Sequence, residues 1–238
     1  YRSLRYRRYL VGYKRGKYNF TDILSLNKMG WMVGLQMGLE TALFSITGIM
    51  IGWLGSIALA AHQVMVAIST LGFMIYYGVG AAVSVRVSNY FGRQDLLHVR
   101  RTTMAGFHLI LCLAVCACTV FLFSRELIGY LFTTSEEVIR VVSTLVYILL
   151  AYQFGDALQI TYANSLRGIG DVISMAVISF IGYFLIAMPV CYICGFVLEW
   201  GITGIWIGYP IGLTLTGVML CGRYYWKLKT KTQSKEFY

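Results

Sequence analysis

Long apolar runs, broken by short polar clusters, set the plan of this chain. From Met29 to Val85 there are 57 residues with one charge, Glu40, and the turn-like Leu54-Gly55-Ser56 divides them in two. Thr102 to Ser124 holds 23 residues without a charge, and Val141 to Leu166 holds 26 with one, Asp156. Val172 to Leu198 adds 27 uncharged residues and Trp200 to Gly222 another 23. A bilayer core about 30 Å thick takes roughly 20 apolar residues in a helix. The pattern therefore predicts six transmembrane helices, over 29–54, 57–85, 102–124, 141–166, 172–198 and 200–222. Backbone in lipid must satisfy its own hydrogen bonds, and the period-2 alternation of a membrane barrel is absent. The expected fold class is all-α, a polytopic membrane protein with a six-transmembrane-helix bundle. Residues 1–28 read as a basic cytoplasmic linker, 29–226 as the lobe and 227–238 as a basic cytoplasmic tail.

Composition agrees with a lipid solvent. Apolar residues make up 58% of the 238 and charged residues 13%, against about 45–50% and about 25% in soluble domains. A cytosolic enzyme, a nucleic-acid-binding domain and a disordered tail are excluded on that ground. The net charge of +10 follows from topology. Eight Lys and Arg precede the first span, four (Arg86, Arg93, Arg100, Arg101) lie in the second loop, one (Arg167) in the fourth and five follow the last span. That puts 18 of the 20 on one side, with Arg125 and Arg140 on the other. Cationic residues gather on the cytoplasmic face, so both termini are expected there and no nucleic-acid partner is needed. The chain opens at Tyr1 rather than Met, and the expectation is a piece of a longer protein beginning inside a cytoplasmic loop.

Several residue types invite chemistry and read more simply as packing. All six cysteines (Cys112, Cys116, Cys118, Cys191, Cys194, Cys221) fall inside apolar spans, where they serve as small polarizable filler; no disulfide is expected. Gly34 and Gly38, Gly48 and Gly52, and Gly204, Gly208 and Gly212 recur every four residues, a spacing that lets helices approach closely. Pro189 and Pro210 should bend the last two spans. His62 reads as a helix-end anchor, and His98 and His108 lack partners at metal-ligand spacing. There is no Gly-x-Ser-x-Gly and no P-loop, so no enzyme and no cofactor is expected.

Two acids stand apart. Eight of the ten lie in loops or at span ends, whereas Glu40 and Asp156 lie deep in their helices. A charge at that depth costs at least about 2.5–3.5 kcal/mol, so these side chains should face protein or water rather than acyl chains. Around Asp156, Tyr152, Gln153, Gln159 and Asn164 recur at helical spacing and draw a polar stripe down an apolar helix. Gln36 lies one turn before Glu40. Carboxyls so held can take up a proton, or a small hard cation such as Na⁺ with amide and phenol oxygens completing its shell. A hydrogen-bonded acid pair that locks helix packing is the plainer alternative.

Gly34-Leu-Gln-Met-Gly-Leu-Glu40, Ala60-Ala-His-Gln-Val64, Gly80-Ala-Ala-Val-Ser-Val-Arg86 with Gly92, and Tyr152-Gln-Phe-Gly-Asp156 with Ser165-Leu-Arg-Gly-Ile-Gly-Asp171 together resemble the multidrug and toxic compound extrusion (MATE) family. The match runs in order from about Asp22 to Trp226, on the carboxy-terminal half of that family and its bacterial NorM-like branch. The resemblance implies two six-helix lobes around a central cavity, here with the amino-terminal lobe missing as a partner, in a bacterial inner membrane. It implies exchange of H⁺ or Na⁺ for an outgoing organic compound, usually cationic and aromatic. The coupling site it implies is Glu40 with Asp156, with Tyr152 as a cation–π partner. A related carrier of lipid-linked sugars should favour basic cavity residues; a channel or a non-transporting membrane scaffold are further alternatives.

Overall fold

A computed structural model describes residues 19–236. The cations from Arg2 to Lys17, which carry much of the topology expectation, lie outside the described residues. Seven helical elements follow one another: α1 (Phe20–Gly52), α2 (Ser56–Gly92), α3 (Leu96–Phe123), the short α4 (Arg125–Phe132), α5 (Glu136–Gly168), α6 (Val172–Val197) and α7 (Gly201–Glu236). All but α4 are long and apolar enough to cross a membrane. No strand occurs among the described residues.

The helices overrun the apolar stretches, and at α1 and α3 a polar residue caps the extension. α1 starts nine residues before Met29, at an Asn19 whose Oδ1 accepts from Thr21 N at 3.2 Å, satisfying a donor that the first turn leaves free. Residues 20–28 of the expected linker are therefore helical, and α7 likewise continues through much of the expected tail. Asp95 caps α3 by accepting from His98 N at 3.1 Å. Between α5 and α6 the chain reverses at Gly170, whose φ of +77° suits a residue without Cβ.

α5 is the central pillar. It packs against α2, α3, α4 and α7, and its buried residues run from Val138 to Leu166 around nearly its whole circumference. Trp206 and Tyr209 of α7, Tyr183 of α6, Leu43 and Ile51 of α1 and Met65 of α2 join it in the main core. Phe20, Leu71, Met74, Val120, Phe123 and Val197 are among many large apolar side chains left exposed, which suits a surface solvated by lipid.

The glycine repeats divide. On α7, a Cβ at Gly204, Gly208 or Gly212 would collide with Cys194, Cys191 or Ala187 of α6, so this repeat is a close helix crossing of the expected kind. On α1, by contrast, Gly34, Gly38 and Gly52 have nothing within 4 Å and do not pack inside this lobe. α6 widens into π-helical turns at Ile181–Ala187 and Ile193–Val197, on either side of Pro189. Proline cannot donate to the ladder and crowds the preceding turn, and wider turns accommodate it.

Candidate functional site

The polar stripe of α5 faces inward along its length. Tyr152, Gln153, Asp156, Gln159 and Asn164 are all buried, with Asp156 and Gln153 fully so. Room for them comes from α2: a Cβ at Gly72 would lie 2.9 Å from Gln153 Nε2, and one at Gly80 2.6 Å from Asn164 Nδ2. Any larger residue at these two places would push the amides aside, a sequence signal legible only once α2 and α5 are known to be neighbours.

Glu40 enters from α1. It is half-buried and lines a cavity of about 200 Å³ together with Met37, Phe44, Ser69, Phe73 and Tyr152. Gln36 Nε2 donates to Glu40 Oε2 at 3.2 Å, and the Tyr183 hydroxyl of α6 donates to the same oxygen at 3.4 Å. Gln159 Nε2 donates in turn to Tyr183 at 2.7 Å. From the other side, Arg167 Nη2 donates to Gln36 Oε1 at 3.4 Å. Every bond in this chain points toward Glu40, which is how a carboxylate is held in place.

Asp156 is treated differently. It lies one turn along α5 from Tyr152, which lines the cavity together with Glu40. Yet both of its carboxyl oxygens are buried without a hydrogen-bond partner, as are both polar atoms of the Gln153 amide, Gln159 Oε1 and Tyr76 OH. Buried polar groups are nearly always paired, and an unpaired one costs about 1–3 kcal/mol. A knot of oxygens left unsatisfied around a carboxyl is a place where a proton or a cation would settle. Among the described residues no group of three or more His, Cys, Asp or Glu could hold a metal ion, so any cation here would rest on two carboxyls with amide and phenol oxygens.

Gln36, Tyr152 and Gln159, picked from sequence, thus share one neighbourhood with Glu40, by hydrogen bond, along the cavity wall and through Tyr183, while Gln153 packs against Gly72 of α2. Asn164 sits at its edge, where it donates to Ile160 O at 2.9 Å and accepts from Arg167 at 3.3 Å. Two further residues of the site carry little mark in the sequence: Tyr183, which lies in an uncharged apolar span, and Arg167, which counts as a loop cation until α5 is seen to run to Gly168. Arg167 continues the stripe one turn beyond Asn164, and that spacing could have revealed it. His62 meets expectation only in part. It lies in the second turn of α2, near the helix start as expected, but is buried, edge-on to Trp206 at 5.7 Å.

A family model, MatE, matches residues 33–193. The chain belongs to the MatE family. It is 34% identical over 220 residues to the multidrug resistance protein NorM of Photobacterium profundum, a match covering 90% of this chain and 47% of that protein. NorM of Aliivibrio fischeri is 33% identical over 217 residues, with 89% and 47% covered. Among solved structures, the eukaryotic MATE transporter AtDTX14 superposes with a TM-score of 0.82 at 20% identity, over 92% of this chain and 51% of that one. A MATE in complex with MaL6 gives a TM-score of 0.84 at 14% identity, over 91% and 49%. At such identities the likeness is one of fold. The chain spans about half the length of the curated relatives it matches, and among its described residues six helices are long and apolar enough to cross a membrane.

Proposed function

We propose that this chain is the carboxy-terminal lobe of a secondary active efflux antiporter, which exports organic compounds, cationic and aromatic in the main, in exchange for H⁺ or Na⁺. The observation that carries the reading is Asp156: a carboxyl at the centre of the bundle, sealed from solvent and without a hydrogen bond, one turn along α5 from Tyr152, which lines a cavity with Glu40. Such a pair invites a visiting cation. Glu40 and Asp156 take the coupling ion, with Tyr152, Gln153 and Gln159 supplying phenol and amide oxygens and Gln36 and Asn164 orienting the rim. Tyr152 and Phe44 line the cavity beside Glu40, where an aromatic cation would find stacking faces next to a negative charge.

Export follows if the coupling ion and the substrate prefer different conformations of the whole carrier, since a ligand shifts an equilibrium only by its differential affinity. Gly34, Gly38 and Gly52, bare and unpacked on α1, support an approach by a second six-helix lobe on that face. The names of the NorM relatives, and the clustering of cations at alternate helix ends, support a bacterial inner membrane with both ends of the lobe cytoplasmic. Among the described residues, the one charged residue lining the cavity is an acid, Glu40, which opposes a carrier of anionic lipid-linked sugars.

The decisive experiment is export by the full-length transporter, reconstituted in liposomes, with Glu40→Gln or Asp156→Asn. Each is expected to lower cation-driven export at least tenfold while leaving protein yield in the membrane unchanged. Wild-type export by both variants would refute the assignment.

A further inference from the structure

Arg167 occupies a costly position for a loop cation. It is half-buried, its Nη1 donates to Tyr77 OH of α2 and to Asn164 Oδ1, both at 3.3 Å, and its Nη2 donates to Gln36 of α1. Its Nε is buried with no acceptor at all. A guanidinium carries its charge at any working pH, and this one stands a single side chain, Gln36, away from Glu40. The two charges nevertheless do not pair directly, because Gln36 stands between them, accepting from Arg167 and donating to Glu40. Glu40 therefore stays open on the cavity while a fixed positive charge stands behind it.

We infer that Arg167 is a positioning residue, a resident counter-charge for Glu40 that sets how tightly the cavity holds a cation. The inference rests on the reading of Glu40 as the cation acceptor given above. A visiting cation gains the attraction of Glu40 and also meets the repulsion of Arg167. The repulsion weakens the complex without closing the site, as happens wherever a site must both fill and empty. Gln36 keeps the guanidinium and the carboxylate from collapsing onto each other. Tyr77 and Asn164 hold the fork in its place, so the opposing charge is fixed rather than free to swing into the cavity.

The test is binding of tetraphenylphosphonium, an aromatic cation, to the purified full-length transporter by equilibrium dialysis. Arg167→Gln, which removes the charge, is expected to lower Kd roughly five- to tenfold, the scale of one unit charge at moderate distance in a protein. Arg167→Lys keeps the charge, loses the fork, and is expected to stay within about twofold of wild type. Arg167→Met, which preserves the aliphatic stem, gives the same reading as the glutamine variant should that one not fold. A merely structural arginine would make the lysine and neutral variants equally weak, and that result overturns the inference. In a Glu40→Gln background binding should be weaker overall, but the Arg167→Gln gain should persist, because the repulsion acts on the cation directly. Undiminished binding by Glu40→Gln alone would mean that the acceptor itself was misassigned, a failure distinct from equal behaviour of the Arg167 variants.

Discussion

The Tyr183 hydroxyl donates to Glu40 Oε2 at 3.4 Å, joining residues 143 positions apart. It also accepts from Gln159 Nε2 at 2.7 Å, so one phenol ties α6 to both α1 and α5. A single hydroxyl thus links the acid of one helix to the polar stripe of another.

Tyr183→Phe removes that link and leaves the Gln159 amide buried without an acceptor. The expected cost is about 1–3 kcal/mol, seen as a lower midpoint of thermal unfolding of the purified full-length protein, together with weakening of the cation-driven export proposed above. Tyr192→Phe, on the same helix but exposed, should leave both unchanged. Equal behaviour of the two variants would mean that Tyr183 contributes only its ring.

Asp171, in the turn between α5 and α6, gives a pH signature. Burial pushes its carboxyl up, but Arg223 Nε at 2.8 Å and Ser174 Oγ at 2.9 Å donate to it, with Lys227 close by, and hold it below the ordinary carboxylate range. A carboxyl with a depressed folded-state pKa stabilises the fold above its unfolded value, about 3.9, and loses that contribution as pH falls through the folded value. Asp171→Asn should therefore lower stability at pH 7 by up to about 1 kcal/mol. The gap from wild type should close as pH drops below about 4. Unfolding midpoints measured between pH 7 and pH 3 decide it, and a gap that stays constant would rule out the ion pair as its source.

The α6–α7 crossing predicts a contrast between two glycines of one helix. A Cβ at Gly208 would run into Cys191, whereas Gly222 has nothing within 4 Å. Gly208→Ala should destabilise by about 1–3 kcal/mol through overpacking. Gly222→Ala should be neutral or stabilise by roughly 0.5–1 kcal/mol through reduced chain freedom. Chemical or thermal unfolding of both variants in the same detergent checks the pair.

Much of the architecture could be read along the chain because a bilayer constrains sequence locally. Spacing between charges alone separates α1 from α3, α5, α6 and α7, and Leu54-Gly55-Ser56 marks the break between α1 and α2. The limits of the helices could not be read so, because Asn19 and Asp95 cap them in polar sequence that hydropathy treats as loop. Glu40 and Asp156 stand out for the same local reason: a carboxyl deep in an apolar run carries a penalty visible without any partner. Arg167 and Tyr183 do not, since a cation near a helix end and a tyrosine in an apolar span are both ordinary.

The sequence by itself determined six spans, their all-helical character and the two acids that must avoid lipid, because each follows from the free energy of one segment in hydrocarbon. Only the packed bundle shows that Asp156 is sealed while Glu40 opens on a cavity, that Gly72 and Gly80 make room for the amides of α5, and that Tyr183 directly and Arg167 through Gln36 join the hydrogen bonds of Glu40. Those relations depend on which faces of distant helices meet. Facing is set by summed packing over the whole bundle, and no single stretch of the chain records it.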